Sequence, residues 1–158
     1  MCPRGSDGYM SSYNVNPGNY SVVFSYGEYS KESSFSILPD PRHATSSEDF
    51  NRKESLLNKI HLDIDEIYKS LTKMQDARSQ IKDLQNRLGS KYSEIVTLSK
   101  ETLDLIDETE LKLISPKQKT FQDVINFRNQ LDAQLMDLLS TVNRNVPPIT
   151  NGQLERYE

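Results

Sequence analysis

From residue 46 to residue 88 the apolar positions fall into two interleaved series, Phe50, Leu57, Ile64 and Leu71, and Ile60, Ile67, Met74, Ile81 and Leu88. The alternating three- and four-residue steps put both series on one stripe of an α-helix that packs at a shallow angle against other helices. Thr45 or Ser46, with Glu48 or Asp49 reaching back, makes a capping box at its start. An unbroken helix over this span is roughly 65 Å long at 1.5 Å per residue. Arg78 and Gln85 occupy places in the first series where apolar residues are due. They read either as positions at an exposed bundle edge or as polar residues that set helix register.

Gly89 and Ser90 end or bend this helix. A second follows, with Tyr92, Ile95, Val96, Leu103, Ile106 and Leu113 on its apolar side, and Pro116 terminates it. A third is predicted from near Phe121 or Asp123, burying Val124, Phe127, Leu131, Leu135, Leu138 and Val142. Short links make such helices antiparallel neighbours. The predicted helical core is Phe50, Leu57, Ile60, Ile64, Ile67, Leu71, Met74, Ile81, Leu103, Ile106, Phe127, Leu131, Leu135 and Leu138. Beyond an extended Val146–Ile149, Thr150-Asn151-Gly152-Gln153 is a further capping box, so a fourth helix is expected to start and to be truncated.

The pattern before residue 43 has a different period. Asn16-Pro17-Gly18-Asn19 is a type II turn signal. Tyr20, Val22 and Phe24 alternate on one face, Tyr26-Gly27-Glu28 reads as a hairpin turn, and Ser33, Phe35 and Ile37 share a face of the return strand. Even with a third strand around Tyr9 to Val15 this is less than a sandwich. Pro39, Asp40, Pro41 and Arg42 form the joint to the helices, where the prolines stop pairing and Asp40 and Arg42 brace a turn. The expected fold is therefore mainly α: an antiparallel three-helix bundle with a truncated fourth helix and a small N-terminal β-hairpin module. Its parts are a β module over 1–42, a helical bundle over 43–146 and an extended tail over 147–158, and the chain reads as a fragment at both ends.

Composition sharpens this. The 158 residues are 35% hydrophobic and 27% charged, a low apolar fraction for a compact globule. A net charge of -4 supplies no surplus of cations to neutralise phosphates, so no nucleic-acid partner is expected. No stretch approaches the about 20 apolar residues of a membrane span, and no membrane insertion is expected. Cys2 is the only thiol. It offers no intramolecular disulfide and no cysteine cluster for zinc, and a lipid-anchored cysteine needs a basic and apolar stretch before it.

Candidate chemistry is sparse. His43 and His61 lack the spacing of a di-iron or zinc motif, so no metal or other cofactor is expected. Glu94, Glu101 and Glu108, with Asp104 and Asp107, form an acidic ridge on the second helix. Acid–base work or calcium binding needs a walled cleft or an oxygen-rich loop around such groups, and a solvated face is the simpler reading. Ser6-Asp7-Gly8 lacks the order of an Asp-box turn, and Asn19-Tyr20-Ser21 fits the N-glycosylation acceptor pattern. No catalytic residues are expected in this chain.

Pro17-Gly18-Asn19-Tyr20-Ser21-Val22, then Phe35 to Arg42, then Phe50 in an amphipathic helix resemble the C-terminal region of bacterial proteins with sortilin-type, Asp-box β-propellers. In that family the end of a small immunoglobulin-like domain leads through Asp-Pro-Arg into a helical segment. Asp123 to Phe127 with Leu131, and Pro147 to Gln153, are similar to its later helix and tail. The resemblance implies an exported, glycosidase-like parent, periplasmic or extracellular, with its catalytic residues in propellers. No position here matches those residues. It implies a non-catalytic accessory or interaction module whose partners are proteins: its own missing domains or a second copy. The alternative is a carbohydrate-binding or glycosidase-associated fragment using the tyrosine-rich segment and the acidic ridge. A fusion-type or cytoskeletal coiled coil rests on the heptads alone.

Overall fold

The computed structural model describes residues 12–88 and 92–158. Its elements are β1 (Gly18–Tyr26), β2 (Tyr29–Ile37), α1 (Ser47–Leu88), α2 (Ser93–Leu113), a 3-10 helix (Phe121–Ile125), α3 (Leu131–Arg144) and α4 (Asn151–Tyr157). The protein is mainly α with a two-stranded antiparallel hairpin near its N-terminus. Cys2, Ser6 to Gly8, Tyr9 to Ser11, Gly89 and Ser90 lie outside the described residues. Residues 12–15 are not in a strand, so the described sheet has two strands. No described helix is long and apolar enough to cross a membrane.

The described residues divide into two compact units, one of residues 60–137 and one of residues 12–59 with 138–158. The hairpin thus belongs with the start of α1 and the end of the chain. In this second unit Leu56, Leu57, Leu138, Leu139 and Val142 are buried. Lys53 donates from Nζ to the carbonyls of Asn143 and Asn145, both at 2.8 Å, and so caps the end of α3. A cation there complements the negative end of the helix dipole. The buried apolar residues of the other unit are Ile60, Ile64, Ile67 and Leu71 of α1, Ile106 of α2 and Leu135 of α3.

Six residues of the expected core are less enclosed. Phe50, Met74, Ile81, Leu103 and Phe127 are half-buried, and Leu131 is 44% exposed. For Phe127 and Leu131 the cause is a later start of the third helix. Thr120 and Asp123 make a reciprocal capping box, but the turn it opens is a 3-10 helix ending at Ile125. The Gln118 amide then donates to the Phe127 carbonyl at 2.9 Å and to Asn129 Oδ1 at 3.0 Å. That bond occupies a carbonyl which a continuous helix would have used itself. Leu131 becomes the first residue of α3, not a member of its second turn.

The other caps are local. The Ser46 hydroxyl accepts from the Asp49 N–H at 3.1 Å and donates to the Asp49 carboxylate at 2.7 Å, starting α1. Thr150 and Gln153 complete a capping box on α4, with the Gln153 N–H donating to Thr150 Oγ1 at 3.2 Å and the Thr150 N–H to Gln153 Oε1 at 2.9 Å. α2 stops at Leu113, and the Gln118 N–H closes a turn on the Ser115 carbonyl at 3.0 Å around Pro116.

Candidate functional site

The hairpin and its joint are where side chains and backbone are most available for recognition. β1 pairs with β2 in the register Gly18–Ile37, Tyr20–Phe35, Val22–Ser33, Phe24–Lys31 and Tyr26–Tyr29. Directly opposed residues share a face in an antiparallel pair. One face therefore carries Tyr20, Val22, Phe24, Tyr26, Tyr29, Phe35 and Ile37, with Ser33 opposite Val22 and Lys31 opposite Phe24. The Tyr20 and Phe35 rings stack with centroids 5.9 Å apart. The opposite face is mostly polar, with Ser36 donating to Asn19 Oδ1 at 2.6 Å and the Ser25 and Ser30 hydroxyls 3.3 Å apart. The apolar face lies open: Val22 is 54% and Phe24 62% exposed.

Two residues close the turn, Gly27 and Glu28. Gly27 has φ of +58° and no other described residue shares a positive φ, which is the pattern of a type II′ turn. Glycine takes this conformation without a Cβ penalty. Gly18 corrects the expectation of a type II turn, since its φ is not positive and it opens β1 opposite Ile37. Strand pairing holds Gly18 extended, and the Asn16 carbonyl accepts from the Tyr20 hydroxyl at 2.6 Å. The sequence signal was local, whereas the deciding pairing came from Ile37.

The root of the hairpin is tied to α1 and α3. The Asn16 amide donates to Glu54 Oε2 at 2.7 Å and to the Phe50 carbonyl at 3.3 Å. The Asn14 N–H donates to Asn143 Oδ1 at 2.9 Å. On the other side of the hairpin, β2 ends at Ile37, and the His43 N–H bonds the Asp40 carbonyl at 3.1 Å across a turn with Pro41 at its first corner. Asp40 accepts from the Arg42 backbone N–H at 2.9 Å, and its Oδ2 accepts from the Arg42 guanidinium at 2.6 Å. The guanidinium, then the backbone N–H, hold the Asp40 pKa down to about 2.

The helices carry two polar links. The guanidinium of Arg78, in the heptad position where an apolar residue was due, donates to Asp107 at 2.6 Å and to Glu110. Arg78 is 21% and Glu110 15% exposed, so this is an interhelix link between α1 and α2 rather than a solvated surface pair. The Tyr68 hydroxyl donates to Asp132 Oδ2 at 3.2 Å. Burial raises the pKa of both groups, and the Asp132 charge pushes Tyr68 further in the same direction. Their hydrogen bond fixes the start of α3 against α1.

The remaining ridge residues do not converge. Glu94 and Glu101 line a shallow depression with Ser93, Thr97 and Leu98, all from α2, and Asp104 and Glu108 are exposed. One helix surface gives no opposing wall to position a substrate. His43 lies in the joint turn and His61 on α1. Among the described residues no three His, Cys, Asp or Glu side chains are grouped to hold a metal ion.

Against known proteins, no family model, no curated protein and no solved structure matches this chain.

Proposed function

We propose that this chain is a non-catalytic interaction module that acts by protein–protein association, like the accessory C-terminal region of the exported β-propeller proteins it resembles. The observation carrying this reading is the open apolar face of the hairpin, from Tyr20 to Phe35. A contiguous exposed apolar surface is a mark of an interaction site, and a two-stranded hairpin is marginal in water without a covering partner. The ties from Asn14 to α3 and from Asn16 to α1 hold the root of that face against the helices, and the Tyr20 hydroxyl bonds back to the Asn16 carbonyl. Its chemistry is apolar burial and backbone pairing.

Light scattering coupled to gel filtration tests this on the full chain. The expected result is a mass above the 18.2 kDa of one chain, growing with concentration. A single-chain mass at all concentrations, with full helical circular dichroism, would refute self-association. The same exposed aromatic residues support a second reading, a stacking platform for sugars. Binding on a glycan array that disappears in Tyr26→Ala, a residue 80% exposed, would favour it.

A further inference from the structure

The two edges of the hairpin are chemically unlike. β2 carries Lys31 and Glu32, charges that discourage further strand addition. β1, Gly18–Tyr26, has no charged residue and no proline in nine residues. It is an unguarded edge, and the described sheet adds no third strand to it.

Register shows which groups this edge offers. A two-residue turn makes its flanking residues, Tyr26 and Tyr29, a hydrogen-bonded pair. Hydrogen-bonded and non-hydrogen-bonded pairs then alternate, so the N–H and C=O groups of Asn19, Ser21, Val23 and Ser25 face away from β2. A second copy related by a two-fold axis at Val22, the middle residue of β1, meets all four of them. Asn19 then pairs with Ser25 of the second copy and Ser21 with its Val23, giving about eight backbone bonds. In the closer pairs between them, Tyr20 opposes Phe24 of the second copy and Val22 opposes Val22. No charge meets a like charge, and the apolar faces of both hairpins become continuous. A shift of the axis to Ser21 or Val23 shortens the overlap.

We propose that β1 is a self-association edge, on which two copies of this chain pair antiparallel about Val22 into a four-stranded sheet. This rests on the association reading above and assigns it one surface and one partner. Four strands with one apolar face supply the stability that two lack.

The test uses the full chain with Cys2→Ser, so that an introduced thiol is the only one. Val22→Cys is expected to give a disulfide-linked dimer on mild oxidation, since the non-hydrogen-bonded pair sets the two Cα atoms about 4.5 Å apart. Ser33→Cys, on the far strand, is expected to stay monomeric on a non-reducing gel. Val23→Pro removes an outward N–H and leaves the pairing with β2 intact, whereas Glu32→Pro makes the same change on the other edge. Light scattering should then find Val23→Pro reduced to single chains and Glu32→Pro still dimeric, with unchanged helical circular dichroism. A dimeric wild type that survives Val23→Pro and gives no Val22→Cys link would overturn the edge while leaving association standing. A cross-link at Ser33→Cys in preference to Val22→Cys would move the interface to β2, and a monomeric wild type would sink both readings.

Discussion

At the scale of single residues, the joint between strand and helix rests on Asp40 and Arg42. Asp40 accepts both the backbone and the side chain of Arg42, so its charged form is favoured in the folded chain and its pKa falls from 3.8 to about 2. A carboxylate with a depressed folded pKa contributes its full bracing above its unfolded value, and loses it as pH falls through about 2. In Arg42→Ala the guanidinium is gone but the backbone N–H of residue 42 still donates. A carbon-detected NMR titration of the Asp40 carboxyl is expected to show a pKa above 2 and still below 3.8 in that variant. The hairpin should become more mobile at its joint, with the helical circular dichroism retained. Both residues are on the surface, so the change concerns orientation and not global stability.

At the scale of elements, the helices show what a sequence pattern reveals and what it omits. The seven-residue spacing of Leu57, Ile64 and Leu71 is a local property, and these residues are buried on α1. Arg78 has the same spacing, but its role depends on Asp107 and Glu110, which chain order alone does not set against it. Lys53 reaches Asn143 and Asn145 through an equally non-local contact and was not singled out by any pattern. The late start of α3 has its cause in a side chain, since Gln118 holds the Phe127 carbonyl. The strands followed the alternating pattern, yet Gly18 took its conformation from Ile37 and not from the turn motif around it. Of the candidate site, the aromatic face was legible in the alternation of Tyr20, Val22 and Phe24, and the joint in its prolines. The acidic ridge was legible as a row of carboxylates but not as the single pairing of Asp107. The Arg78 link gives a sharp expectation: Arg78→Ala leaves the mostly buried Glu110 without its guanidinium. The loss of a charged hydrogen bond is about 2 kcal/mol. Urea unfolding of Arg78→Ala should show a loss of that order, and Glu110→Gln in the same background should recover part of it, because the orphaned charge is removed.

At the scale of the whole molecule, α1 and α3 are each continuous helices whose residues contribute to both compact units. Unfolding either unit breaks a helix on which the other depends, so the two are expected to unfold together despite their separate buried clusters. Leu57, 1% exposed in the unit that holds the hairpin, is a suitable probe. Truncation to alanine removes a buried isobutyl group and leaves a cavity, at a cost of about 2–5 kcal/mol. Ile106, in the other unit and 9% exposed, should cost less on truncation, because the site is closer to solvent. Far-ultraviolet circular dichroism reports all the helices at once. In urea, Leu57→Ala and Ile106→Ala are each expected to give one transition with a lower midpoint and the wild-type slope, as for a unit that melts as a whole. Two transitions, with only one displaced by each substitution, would mean that α1 frays at the division between the units and that the hairpin-bearing unit folds by itself.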